Sequence, residues 1–380
     1  SLLQASPSGK YQIRNARMFA NSGLHKKSIK TIVEDRDGKI WIGTAKNGIY
    51  IYHPDRKSLT HISSRPYQNG GLSNDLIRKI ILAKDGRLWI ATMNGLNIFN
   101  PATKIFDVYK HDSDNRKSLS DNSIKDIYED DKGSVWIGTN FGGINVAHQN
   151  AVTFKVYSHS KYRNSISTDI ISVIASGRNG RLLIGTEGHG LNIFDIKNNF
   201  FKHFKHDRNN KSGISSNTIK SIFRDRSGAI WVGLFENGLE RFDPDKGTFE
   251  HFRPDPDTPN ALSYGYVSSI TQDQGGRIWV GTSSKGLNIF RPGTRDFIQA
   301  RSSSKGLKIN NDYVRTVMGD SGGNVWLGTA AGLSILRNGE NQFEQFDMNQ
   351  NGLKSDYINC IKEDQNHRIW IGSHRGGLSL

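Results

Sequence analysis

Two large apolar side chains, Phe141 and Phe235, stand in short glycine-ended segments (N-F-G-G at 140–143, F-E-N-G at 235–238) whose counterparts elsewhere in the chain hold small or polar residues. An aromatic ring suits the apolar face of a sugar, and Glu236, Asn237, His189 and Arg375, from equivalent segments, supply groups that bond hydroxyls or acidic substituents. Tyr264, Tyr266, Tyr313 and Tyr357 cluster in corresponding stretches of the last three repeats. For each of these residues, packing against a neighbour competes with ligand contact. Bond-making chemistry has fewer candidates. No G-x-S-x-G occurs, and the twelve histidines are scattered. A polysaccharide lyase needs a His, Tyr or Lys base beside a charge-neutralising Arg, and His374 and Arg375 with Tyr357 are the one local grouping of that kind. A retaining glycosidase needs two carboxylates facing one pocket, which spacing in sequence neither shows nor excludes.

The elements that position these residues are read from a repeat. The phrase WIGT at 41 returns as WIAT at 89, WIGT at 136, LIGT at 183, WVGL at 231, WVGT at 279, WLGT at 326 and WIGS at 370. All seven tryptophans of the chain occupy this position, with Leu183 in the remaining copy. Nine and twelve residues before each stands a β-branched residue, as at Ile32 and Ile29, and three before stands glycine, with His367 the exception. Asp sits six before in six copies. An Asp-x-x-Gly connection between short apolar runs is a tight hairpin turn. A third run such as G-L-N-I-F and a fourth carrying an aromatic (Phe106, Phe154, Phe201, Phe249, Phe297, Phe343) complete each unit. Each repeat is therefore four antiparallel strands, a to d.

Four-stranded repeats of this length with a Trp-bearing strand specify an all-β fold, a β-propeller, and residues 1–380 read as a single domain of eight repeats. Tyr11–Arg14 reads as a d-type strand that closes the last blade, because the chain stops after a c-type strand at Gly377–Leu380. The alternative is a seven-bladed ring whose eighth copy begins a second propeller. The a–b and c–d turns share one face. The b–c loops and the long d–a connections share the other, where binding is expected. A leucine or isoleucine five before strand a (Leu72, Leu119, Ile166, Ile214, Leu262, Leu353) assigns part of each d–a connection to packing.

A net charge of +15, spread over all repeats without a basic block, favours anionic partners: acidic or sulfated glycans, lipid headgroups or nucleic acid. For nucleic acid there is no motif and no basic stretch with aromatic interleaving. No run approaches the length of a membrane span, and residues 1–10 read as a polar start rather than a leader. The lone Cys360 excludes an internal disulfide framework and a cysteine-based metal site. No cofactor or metal is expected.

The run I-x-x-I-x-x-D-x-x-G-x-I-W-I-G-T, then G-G-L-x-x-F, F-x-x-Y or F-x-x-F, and S-L-S-x-N resembles the two-component regulator propeller repeat, with the best copies at 117–146 and 212–242. Ala91, Leu183, Leu234 and His367 depart from it. The resemblance implies the periplasmic sensor region of a membrane-anchored hybrid histidine kinase that recognises an oligosaccharide, here an anionic one. It further implies downstream β-sandwich and kinase domains in the same chain, a homodimer, and no catalysis by this segment. A lyase or hydrolase on the same scaffold, and a scaffold that docks other protein domains, are the competing functions.

Overall fold

A computed structural model describes the chain except residues 1, 6–10, 15–23, 65–70, 116, 149–153, 162–163, 259, 350–352, 354 and 380. In the first repeat Ile29–Glu34, Ile40–Thr44, Ile49–His53 and Ser58–Ile62 pair in chain order as an antiparallel meander. Six more four-stranded sheets follow. The eighth, Ile358–Glu363, Ile369–Ser373 and Gly377–Ser379, has three strands among the described residues. Strand b of each sheet is buried along its length, because a neighbouring blade covers either face.

Neighbouring blades meet through their a strands all the way round, and the eighth meets the first. The glycine of the WIGT phrase makes this approach possible. A Cβ on Gly43 would stand 2.6 Å from Cγ2 of Ile77, and one on Gly372 would stand 2.6 Å from Cγ2 of Ile29. The seam between the last and first blades is thus built like the others. Trp370 and Leu378 pack with Leu24, Ile29, Ile32, Ile40 and Tyr50. The Gly377 amide donates to the Lys27 carbonyl at 2.9 Å. The fold is an eight-bladed β-propeller, and the seven-bladed alternative falls.

One expectation is corrected. Tyr11–Arg14 does not complete the eighth sheet but pairs with Leu2–Ala5, Leu2 opposite Arg14 and Ala5 opposite Tyr11. A four-residue strand carries little register information of its own, and a partner a few residues away costs little loop-closure entropy. Among the described residues, packing and single hydrogen bonds close the ring.

The turn face explains the Asp of the repeat. Asp35 Oδ1 accepts the amides of Asp37 and Lys39, both at 3.0 Å, while Oδ2 accepts the indole N–H of Trp41 at 2.8 Å. The same carboxylate–indole bond, at 2.7 to 2.9 Å, joins Asp130 to Trp136, Asp225 to Trp231, Asp273 to Trp279, Asp320 to Trp326 and Asp364 to Trp370. Blade 4 lacks both members, having Gly177 and Leu183. Blade 2 keeps Trp89 but has Ala83, and the buried Trp89 Nε1 has no partner. His367, in place of the turn glycine, takes φ +59° and bonds Ser321 and Glu363 through Nδ1. The leucines and isoleucines of the d–a connections are buried, as packing requires.

Candidate ligand-recognition face

Strand a of every blade carries a register shift at its second residue. In blade 1, Ile29 opposes Thr44 while Thr31 opposes Gly43, so Lys30 is the extra residue of a β-bulge. Its equivalents are Arg78, Lys125, Ser172, Lys220, Ser268, Arg315 and Asn359. A bulge residue has no ladder partner and its side chain is re-aimed. All eight lie at the b–c-loop end of the innermost strands, and so ring the channel mouth on the loop-rich face. Five of the eight are cationic.

Several of these side chains tie one blade to the next. Arg78 Nη1 donates to the Ser123 hydroxyl at 3.1 Å and the Ile124 carbonyl at 2.9 Å. Ser268 Oγ donates to the Val314 carbonyl at 2.7 Å, and Asn359 Nδ2 to the Ile29 carbonyl at 2.9 Å. Lys220 Nζ bonds both Glu187 oxygens at 2.9 Å. The following residue does similar work. Ser269 Oγ accepts the Val317 amide at 3.2 Å, and Asp126 accepts the Ile174 amide at 3.1 Å and Lys79 Nζ at 2.5 Å.

The b–c loops are held by the hydroxyl that ends strand b. Thr44 Oγ1 donates to the Gly48 carbonyl at 2.8 Å and accepts the Asn47 amide at 2.8 Å. In blade 5 Leu234 occupies this place, and Asn237, at φ +71°, fastens the loop instead by donating from Nδ2 to the Ser215 carbonyl at 2.7 Å. Phe235 is thereby carried to the surface.

The structure divides the candidate residues into two groups and two isolated positions. In the first group, the Phe235 ring, 43% exposed, lies 5.0 Å from that of Tyr266, and Lys220 Nζ stands 5.2 Å from the Phe235 centroid. Glu236 and Asn237 are exposed on the same loop. In the second group, the Tyr357 and His374 rings meet at 5.4 Å. Arg315 lies 4.5 Å from the Tyr357 ring and 5.9 Å from that of Tyr313, and its Nη1 donates to the Tyr357 hydroxyl at 2.7 Å. His374 Nδ1 bonds Ser28 Oγ at 3.0 Å, with Arg375 exposed next in sequence. Burial, then the charges of Arg375, Lys30 and Arg315, push the His374 imidazolium below its ordinary range. Phe141, 68% exposed, bonds Asp121 through its backbone amide at 3.0 Å and joins neither group. His189 is exposed on the blade 4 loop, and no contact places it in either.

Lys30, Arg78, Lys125, Lys220 and Arg315 escaped the sequence reading. The available signal was a cation at five copies of the position eleven before the Trp, between two β-branched residues. Cys360, by contrast, is a packing residue: burial pushes its thiol up to about 12. Among the described residues no group of three or more His, Cys, Asp or Glu is placed to hold a metal.

The two-component regulator propeller family model matches residues 23–46, 71–94, 118–141, 213–236, 261–284 and 352–375, in blades 1, 2, 3, 5, 6 and 8. Each match covers one segment of its blade, so six of the eight blades carry a segment similar to the two-component regulator propeller repeat. Blade 4, which lacks the Asp–Trp pair, is one of the two unmatched. Among solved structures this propeller is similar to the extracellular domain of BT3049, described as that of a putative hybrid two-component system of B. thetaiotaomicron. They share 20% identity at a TM-score of 0.63, over 93% of this chain and 51% of that one. The propeller thus spans about half the length of that structure. It is also similar to the Dos1 propeller (9% identity, 93% and 91% covered, TM-score 0.66) and to virginiamycin B lyase from Staphylococcus aureus (14%, 93% and 94%, 0.50). At such identities the likeness is one of fold. No curated protein sequence matches the chain.

Proposed function

We propose that this propeller is the ligand-sensing part of a two-component signalling protein, lying outside the cytoplasm, and that its loop-rich face recognises an anionic oligosaccharide. One observation carries the reading: on repeats similar to the two-component regulator type, exposed aromatic rings stand beside cations around the channel mouth, as Phe235 does with Lys220 and Tyr313 with Arg315. Rings cover the apolar faces of sugars and cations receive their acidic groups. The extracellular origin of the BT3049 domain supports the location. The signal would pass to β-sandwich and histidine kinase domains downstream in the same chain, in an inner-membrane homodimer. Among the described residues no helix is long and apolar enough to cross a membrane.

A lyase is the second reading, favoured by the contact of Tyr357 with His374, an imidazole held towards its neutral, proton-accepting form. A thermal-shift screen against neutral, uronic-acid and sulfated oligosaccharides at two salt concentrations, each hit checked for turnover, separates the readings. A ligand at a hundred times its Kd adds about 2.7 kcal/mol. The expected result is a salt-tolerant, saturable shift without product. Product formation abolished by His374→Ala would establish the lyase. Silence across the panel would leave a scaffold that docks protein domains.

A further inference from the structure

We infer that the part of the channel mouth formed by blades 7, 8 and 1 is an anion subsite, in which Arg315, Lys30 and Arg375 receive a carboxylate or sulfate group of the ligand. The inference rests on the reading of the loop-rich face as the recognition surface, and adds which sector takes the charge and through which residues.

Charge balance sets this sector apart. Elsewhere around the mouth Lys220 is answered by Glu187 at 2.9 Å, Lys79 by Asp126 at 2.5 Å, and Arg78 by a hydroxyl, a carbonyl and the field of Asp121, while Lys125 is a single cation with no ion pair among the described residues. Lys30, Arg315 and Arg375 form no ion pair among the described residues, yet Arg315 acts on Lys30 through space and all three act on His374. Lys30 is exposed, but partial desolvation, then the charge of Arg315, lowers its ammonium below its ordinary range. Burial, then Arg375, Lys30 and Arg315, lowers His374. Repulsion among cations gathered at the channel mouth is what an incoming anion removes.

Arg315 is also built for the task. The Tyr357 hydroxyl and the Tyr357 and Tyr313 rings hold its guanidinium in place, while its Nε is buried without a hydrogen-bond partner. On the adjoining strand, Asn359 Oδ1 is likewise buried and unpartnered. A guanidinium ordered beforehand loses little entropy when an oxyanion arrives, and a forked donor fits a carboxylate or sulfate edge. The 39% exposed ring of Tyr313 gives the sugar bearing that group an apolar face to lie on.

Proton linkage follows from the neighbours of His374. Ser28, Tyr357, Arg375, Lys30 and Arg315 surround it, and none of them is a carboxylate. A bound anion favours the imidazolium, so its binding is accompanied by proton uptake at His374 and tightens as pH falls from the raised, bound-state pKa towards the lowered, free-state one.

The test is an NMR titration of the His374 ring in the intact propeller with glucuronate, with inorganic sulfate, and with glucose as the neutral control. Glucuronate and sulfate are expected to raise the His374 pKa saturably, and glucose to leave it unchanged. Arg315→Gln and the exposed-site change Lys30→Gln should each weaken the anion effect about tenfold or more. Lys125→Gln, a bulge cation in blade 3, should not. If Lys125→Gln weakens the effect as much as Arg315→Gln, the cause is the field of the whole surface and the subsite is overturned. No response of His374 to either anion also overturns it. An oligosaccharide that binds with equal affinity to wild type and Arg315→Gln would retain the sensor reading and remove the subsite. A response to the simple anions beside silence from every oligosaccharide would do the reverse.

Discussion

The two ends of the innermost strands are built from the same repeat and obey different rules. At the turn end, six blades place the same carboxylate against the same indole, within 0.2 Å of one another. There too Glu129, Gln272, Glu363 and Glu34 each accept a backbone amide from the turn of the preceding blade, at 2.6 to 3.0 Å. At the mouth, one bulge recurs in all eight blades, yet its occupant is Lys, Arg, Lys, Ser, Lys, Ser, Arg, Asn in turn. Buried groups with fixed partners leave a residue no latitude, whereas a bulge at a rim constrains the backbone and leaves the side chain open. Uniformity across the repeats therefore marks the scaffold, and divergence at a position of uniform geometry is what the proposed recognition face requires.

The contrast can be broken most severely at an indole. Trp326→Ala is expected to cost about 3–5 kcal/mol through the cavity it leaves, while Lys125→Gln at the mouth should stay within about 0.5 kcal/mol. Chemical denaturation of the two variants checks both, and equal losses would dissolve the distinction. The next effect in size is the carboxylate. Asp320→Ala strands the Trp326 indole and the Asn324 amide, each now bonded at 2.7 Å, and should cost about 1–3 kcal/mol. Blade 2 offers the reverse experiment: Ala83→Asp supplies the missing acceptor for Trp89 and should raise stability by about 1 kcal/mol, seen as a higher melting temperature. A destabilised Ala83→Asp protein would show that the Asp contributes only through its turn.

The smallest expected effect is a pH profile. Burial alone would raise the Asp273 carboxyl, but the Trp279 indole, Arg277 and the turn amide together carry it below its ordinary value. Asp225 is lowered against burial in the same way by Ser227, Trp231 and amides. Their contribution is fully present above the unfolded value of about 3.9 and is lost as pH falls through the lowered folded values. Thermal melts should therefore be level on this account above about pH 4 and decline below it. Asp273→Asn should flatten part of the decline.

Much of the scaffold was legible because local pattern and burial coincide. The β-branched residues twelve before the Trp, Ile29 to Ile358, are all fully buried, and the spacing of Asp and Trp anticipated a bond made within one hairpin. The site was only partly legible. Phe141 and Phe235 look alike in sequence, yet only Phe235 meets another ring and a cation, because those partners come from other strands. Tyr357 and His374, named together with Arg375 from the sequence, do meet in the structure, but Arg315 and Lys30, from blades 7 and 1, were invisible as neighbours. Lys30 and His374 are 344 residues apart in the chain and come together only when the ring closes.

The amino-acid sequence alone determined the strand pattern, the eightfold count of repeats and the face on which loops gather, since periodicity and turn chemistry act over a few residues. Tertiary structure alone decided that the eighth repeat closes on the first, that Tyr11–Arg14 pairs with its own hairpin, and that bulged cations encircle the mouth. Those outcomes depend on which distant strands meet and in what register. A register shift of one residue re-aims a side chain without changing a letter of the repeat.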